Sequence, residues 1–259
     1  MFSELTALMH HDTQELVPCS ASIKPVGCKW VFRVKRHPDG SIDRFKARLV
    51  VKGYNQQPGL DYTNTFNPVV KPATIHSILT IVVMHGWNLR QMDVHNAFLH
   101  GDLSETVFMF QPPGFKDSSK PHHVCRLKKA IYDLKQAPIA WFTAFTAAIT
   151  QLNFLQSKAD PSLFIYSTKA HKCYLLVYVD DLVITGNNPT FIDTVIRHLS
   201  NRFHLKNLGN LYFFLGVEVI QTHVGLFLTQ HKYIRDLLSH INMVGAKDVS
   251  TPLFTSQSL

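Results

Sequence analysis

Three aspartates are the residues of this chain with the clearest chemistry. Asp180 and Asp181 sit side by side within Leu175-Leu176-Val177-Tyr178-Val179-Asp180-Asp181-Leu182-Val183-Ile184-Thr185-Gly186, an apolar run rich in β-branched residues. Asp93 lies in a second apolar stretch, residues 87–98. Two unit charges about 4 Å apart repel by roughly 4 kcal/mol at an effective dielectric near 20. A divalent cation removes that cost, and hard carboxylate oxygens suit magnesium or manganese. A pair of such ions about 3.5–4 Å apart activates a hydroxyl and stabilises the leaving oxygen of an in-line phosphoryl displacement. The three aspartates can serve that chemistry if their two segments are neighbouring strands.

The elements needed to place them are readable. The double-aspartate run reads as two short buried strands folded on each other, with the pair at or near the turn. Residues 87–98 read as a further strand. Residues 29–35 alternate polar and apolar, residues 43–51 can pair with them, and His37-Pro38-Asp39-Gly40 is a turn signal between the two. A helix is expected from Thr74 as cap to Gly86, with Ile75, Ile78, Leu79 and Val82 on its apolar face. Helical spacing recurs at Trp141, Phe145, Ile149 and Leu152, and again from Pro189 through Ile192, Val195, Ile196, Leu199 and Phe203. Gln111-Pro112-Pro113-Gly114-Phe115 reads as a loop, and residues 1–23, with weak pattern, as a loosely attached lead-in. Mixed strands and helices without regular βαβ alternation indicate an α+β fold. No GxGxxG or GxxxxGK[ST] occurs, which argues against a dinucleotide or P-loop site.

With 259 residues, 46% of them hydrophobic and 17% charged, the chain is of globular type. No apolar run reaches about 18 residues, so no membrane span is expected. Met1-Phe2-Ser3-Glu4-Leu5 shows no secretory pattern. The four cysteines, Cys19, Cys28, Cys125 and Cys173, have no CxxC spacing and are expected to be reduced thiols in a cytoplasmic or nuclear setting. His122-His123-Val124-Cys125 has no second cluster to complete a zinc site. The net charge is +8, and the segment from Lys24 to Lys52 holds nine basic residues against Asp39 and Asp43. That excess suits a polyanion such as nucleic acid or a nucleoside triphosphate, and equally a solvated hairpin.

Tyr178-Val179-Asp180-Asp181 matches the YxDD box of reverse transcriptases, and its surroundings resemble copia-type retrotransposon polymerases along nearly the whole chain. The matching blocks are Gly27-Cys28-Lys29-Trp30-Val31-Phe32, Lys46-Ala47-Arg48-Leu49-Val50-Val51-Lys52-Gly53-Tyr54 and Gln91-Met92-Asp93-Val94-His95-Asn96-Ala97-Phe98-Leu99-His100-Gly101-Asp102-Leu103. They continue with Leu134-Lys135-Gln136-Ala137-Pro138, Asp160-Pro161-Ser162-Leu163-Phe164, Tyr212-Phe213-Phe214-Leu215-Gly216-Val217-Glu218-Val219 and Ser250-Thr251-Pro252.

The resemblance implies an RNA-directed DNA polymerase using deoxynucleoside triphosphates, a primer–template and two magnesium (or manganese) ions. It implies a right-hand fold with fingers at about 24–86 and 101–137, and a palm at about 87–100 and 138–220. Residues 221–259 would begin a thumb or connection. Asp93, Asp180 and the backbone of Val94 match the family's metal positions, and Asp181 matches the second carboxylate of the box. Phe98 matches the aromatic gate that crowds a 2′-hydroxyl. Lys46 and Arg48 match the basic strand that contacts incoming phosphates. Lys135 and Gln136 lie in the motif bordering nucleotide and template, and Phe214-Leu215-Gly216 resembles the primer grip.

Two departures fall within one motif. Asp133 stands where the family usually has glycine, adding a Cβ and a negative charge where a triphosphate is expected, and Ile139 replaces a usual arginine. The chain also reads as a fragment of a larger polyprotein, whose ribonuclease H and integrase would be partners. A catalytically impaired remnant that binds primer–template without extending it is the alternative. A nucleotide cyclase would explain the acidic pair but not the other blocks.

Overall fold

Alternation in the apolar runs and helical spacing between them become a set of antiparallel sheets with helices. The computed structural model describes residues 1–37, 41–65, 68–223 and 225–246. The turn residues Pro38, Asp39 and Gly40 and the block Ser250-Thr251-Pro252 lie outside the described residues. Two compact units divide the chain, Met1–Gly209 and Asn210–Leu259. The first unit therefore ends about ten residues before the boundary expected near 220.

The first unit opens with α1 (Phe2–His10) and β1 (Gln14–Pro18). These residues are not a loose lead-in. Leu8 is buried, and β1 pairs antiparallel with a strand more than a hundred residues away, Leu16 opposite Cys125. Because β1 is only half-buried along its length, it lacks the alternation that betrays a strand. Next come β2 (Cys28–Arg36) and β3 (Ile42–Val51), paired so that Val31, Arg33 and Lys35 face Arg48, Lys46 and Arg44. Directly opposed residues share a face. One face of this hairpin is thus basic, and the other carries Trp30, Phe32, Val34 and Phe45.

Helix α2 (Pro72–His85) starts earlier than the sequence suggests, with Lys71 as its N-cap and Pro72 in its first turn rather than Thr74 as cap. Proline suits that place because its missing N–H would have had no helical partner. Gly86 ends the helix at φ 64°, as expected. Strand β4 (Leu89–Val94) is shorter than the expected 87–98, because a 3₁₀ turn occupies Ala97–His100. Then follow β5 (Asp102–Met109), β6 (His123–Lys129), α3 (Ala137–Gln151), β7 (Leu155–Gln156), β8 (Leu163–Ser167), β9 (Lys172–Tyr178), β10 (Asp181–Gly186), α4 (Pro189–Phe203) and β11 (Leu205–Asn210). Asn188 caps α4 by accepting the Phe191 N–H at 3.0 Å. Buried Asp160 anchors the start of α2 to the strand that follows it, accepting the Lys71 and Ser162 N–H groups at 2.9 and 3.0 Å.

Six strands form the principal sheet, in the order β11-β4-β10-β9-β8-β7, while β1, β6 and β5 form a second. Met92 and Val94 of β4, Val177 of β9, and Leu182 and Ile184 of β10 enter one core with Trp141, Phe145 and Ile149 of α3 and Ile192, Val195 and Leu199 of α4. Strand side chains alternate, so Asp93 and Asp181 must point to the other face. A second core joins Leu8, Leu49, Val51, Val107, Leu127 and Leu134.

The second unit contains β12 (Phe213–Phe214), β13 (Val217–Thr222), β14 (Gly225–Thr229) and α5 (His231–His240). Leu215 and Gly216 form the two-residue turn between β12 and β13, both with positive φ (51° and 83°). That geometry matches the right-handed twist of a hairpin.

Backbone packing leaves no room at Gly53, where an added Cβ would lie 1.9 Å from the Asp133 carbonyl oxygen. Gly53→Ala is expected to cost about 1–3 kcal/mol of stability, by the usual penalty of overpacking. Urea unfolding measures it, and an unchanged midpoint would contradict this packing.

Candidate active site

The expected neighbours are neighbours. Strand β10 pairs antiparallel with β4, with Asp181 opposite Asp93, and the Val94 N–H donates to the Asp180 carbonyl at 2.7 Å. Asp180 lies in the two-residue turn between β9 and β10, preceded by Val179 at φ 52°. A β-branched residue rarely adopts that left-handed conformation. It is held by Trp141, whose indole N–H donates to the Val179 carbonyl at 2.6 Å from the buried face of α3.

Burial pushes the Asp180 carboxyl above the ordinary carboxylate range, and the Asp93 charge adds to the rise. Its own backbone N–H, Arg48 and Lys46 act in the opposite sense. Asp181 is also raised, first by burial and then by Asp180, against a hydrogen bond from Gln91. The Gln91 Nε2 to Asp181 Oδ1 distance is 3.5 Å. Among the described residues, no three His, Cys, Asp or Glu side chains form a group that could hold an ion by themselves. Magnesium is commonly held by one or two carboxylates plus substrate phosphate oxygens, so a closed protein cage is not required. His122, His123 and Cys125 likewise form no metal group.

A cleft of about 270 Å³ is lined by Arg33, Lys35, Lys46, Arg48, Tyr132 and Asp133. Tyr132 is not among the residues that its type or the family resemblance singles out. The Arg48 guanidinium lies 4.3 Å from its ring centroid, Phe98 meets it edge-on at 5.3 Å, and its hydroxyl donates to Asn96 Oδ1 at 3.4 Å. Burial pushes the phenol up to about 12. One ring thus joins Arg48 and Phe98, which the family resemblance had named separately. The only sequence signal was its position beside the Leu134-Lys135-Gln136-Ala137-Pro138 block.

Asp133 is exposed at φ 66°. The left-handed backbone supplies a conformational reason for glycine at this position, and aspartate tolerates it better than most residues. Lys135 is also exposed, and its backbone N–H donates to Gln56 Oε1 at 2.8 Å. Gln136 departs from expectation. Its side chain is 2% exposed and engaged, receiving Gln56 Nε2 at 3.0 Å and donating to the Asp61 carbonyl at 2.9 Å, so it ties loops together. Ile139 lines a second cleft of about 630 Å³ with Thr63, Asp102, Glu105, Lys129 and the predicted site residue Gln136. Phe214 is buried, and Leu215-Gly216 forms the hairpin turn of the second unit.

An acidic cross-strand pair thus lies beside a basic cleft, on an antiparallel sheet backed by helices. The chain belongs to the reverse transcriptase (RNA-dependent DNA polymerase) family, whose model matches residues 11–255. It is similar to the retrovirus-related Pol polyproteins from transposons RE1 and RE2 of Arabidopsis thaliana, 47% identical to each over the full length of this chain. It is also 39% identical, over 98% of its length, to the retrovirus-related Pol polyprotein from transposon TNT 1-94 of Nicotiana tabacum. It spans 18% of the length of the first two relatives and 19% of the third. The copia-type resemblance read from the motif blocks is borne out.

The raised carboxyls predict a sign for stability. A carboxyl raised in the folded state makes the native protein bind more protons than the unfolded chain, so this contribution falls as pH rises through that range. Asp180→Asn, which removes one of the facing charges, is expected to raise Tm at neutral pH without metal. The gain should shrink as pH falls through the raised range. An equal or lower Tm for the variant at neutral pH would show that the charges do not oppose folding.

Proposed function

We propose that this chain is the catalytic part of an RNA-directed DNA polymerase, transferring deoxynucleotides to a primer 3′-hydroxyl on an RNA template. The observation that carries the proposal is the register placing Asp181 opposite Asp93, with Asp180 in the adjoining turn, on the sheet face away from the helices. Supporting it is the basic cleft, whose Lys46 and Arg48 charges act on Asp180. In this proposal the sheet carrying β4, β9 and β10 is the palm, the β2–β3 hairpin belongs to the fingers, and the β12–β13 turn is the primer grip.

Carboxylate oxygens burdened by burial and mutual repulsion fit a divalent cation. Asp93, Asp180 and the Val94 backbone would hold magnesium or manganese, with Asp181 alongside. When bound, the ions lower the acidity barrier of the primer hydroxyl and offset charge on the departing pyrophosphate. The chain's own residues orient the reactants. Arg48, stacked on Tyr132, presents a fixed guanidinium to phosphate oxygens, and Lys46 adds an ammonium. Phe98, braced edge-on by Tyr132, would crowd a ribose 2′-hydroxyl. In the intact element, ribonuclease H and integrase of the same polyprotein would be the partners. No helix among the described residues is long and apolar enough to cross a membrane.

The test is primer extension by the purified chain on an RNA template with magnesium. Extension is expected, and Asp93→Asn or Asp180→Asn is expected to reduce it by at least about 10³-fold, the scale of losing a principal electrostatic contribution. Primer–template binding without extension would favour the impaired remnant, and full activity in either variant would remove these residues from the site. Asp133→Gly removes a negative charge from the cleft and is expected to lower the KM for nucleotide several-fold, by about 1 kcal/mol of relieved repulsion. An unchanged KM would leave Asp133 without a role there.

A further inference from the structure

Glu4 on α1 is a buried acid with no evident structural need. Its residue exposure is 7%, its Oε1 has no hydrogen-bond partner, and the Leu49 N–H bonds to its carboxylate. The apolar anchoring of α1 is supplied by Leu5 and Leu8, so a carboxylate at this depth is a cost unless cations offset it. The cations facing it are Arg48 and Lys46 of β3 and the N-terminal ammonium of Met1. Glu4 and Lys46, together with Arg44, His95 and Asn96, line a cleft of about 250 Å³. Lys46 also lines the basic cleft. It therefore stands between a buried anion on one side and the proposed triphosphate site on the other.

We propose that Glu4 is a positioning residue that acts through Lys46 across their shared cleft, setting the charge of its ammonium for the incoming phosphates. This rests on the reading of Lys46 as a phosphate contact. Other charges facing Lys46 are Lys35 on β2, Arg44 and Arg48 on β3 and His95 after β4, all repelling a proton there. Opposing charges acting on Lys46 are Glu4, on the α1 side, and Asp180, on the side of the acidic turn.

Lys46 can be read independently of polymerisation. The full chain is treated with pyridoxal 5′-phosphate, the imine is trapped with borohydride, and label at Lys46 is quantified by peptide mass spectrometry across pH. Glu4→Gln withdraws a counter-charge, so the amine loses its proton more readily and an anionic reagent meets less repulsion. Labelling at pH 7.5 should rise about threefold, with the profile moved to lower pH, and Glu4→Asp should restore the native profile. A Glu4→Gln profile superimposable on the native one overturns the proposal. If Glu4→Gln does not fold by circular dichroism, the reciprocal arm decides. In Lys46→Met the Glu4 carboxyl, followed by its ¹³C shift, should titrate at higher pH than in the native chain, and an unmoved titration overturns the proposal. Where the native chain extends primers, Glu4→Gln should raise the nucleotide KM about threefold with kcat changed less than about twofold, because the loss is in placing phosphates. A chain that extends nothing fails the polymerase reading while leaving the labelling result intact.

Discussion

Everything at the site depends on the antiparallel pairing of β4 with β10. The register sets Asp181 across from Asp93 and draws the Asp180 carbonyl onto the Val94 N–H. Because successive strand residues face opposite ways, the same register sends Met92, Val94, Leu182 and Ile184 into the core against α3 and α4. A slip of one residue would bury the carboxylates and expose the apolar set. The apolar packing that stabilises the fold and the acidic face that could act on phosphate are therefore two consequences of one pairing.

The acidic pair is costly on its own, and the surrounding chain disposes its basic groups to suit. Alternation along β2 and β3 collects Arg33, Lys35, Lys46 and Arg48 on one face of the hairpin. Tyr132 then fixes Arg48 by stacking and braces Phe98. Positive and negative groups stay in separate places, since neither Lys46 nor Arg48 forms a close ion pair with Asp93, Asp180 or Asp181 among the described residues. A site organised this way keeps its charges available to a ligand that carries both phosphate and metal.

Much of this was legible in the residues. Aspartates in apolar, β-branched runs stand out because burial of a charge is expensive, and the helix at Pro189 announced itself through spacing and a proline start. What escaped was set by contacts between distant segments. The β1 strand has no alternation because it is half-buried at an edge, and Tyr132 gains its importance from Arg48 and Phe98 rather than from its neighbours. Gln136, polar and in a motif, is consumed by Gln56 and Asp61. The left-handed backbones at Asn96, Asp133 and Val179 were invisible for another reason, since φ is not written in residue type, and valine is among the least expected there.

The tie from Trp141 to Val179 engages a backbone carbonyl, not a side chain. It therefore fixes the path of the turn while placing no chemical demand on the residue at that position. Position 179 can accept any side chain compatible with a left-handed backbone. Trp141, by contrast, contributes through its side chain, the indole N–H that reaches the Val179 carbonyl. The turn is thus specified by a helix distant in sequence rather than by the side chain that occupies it.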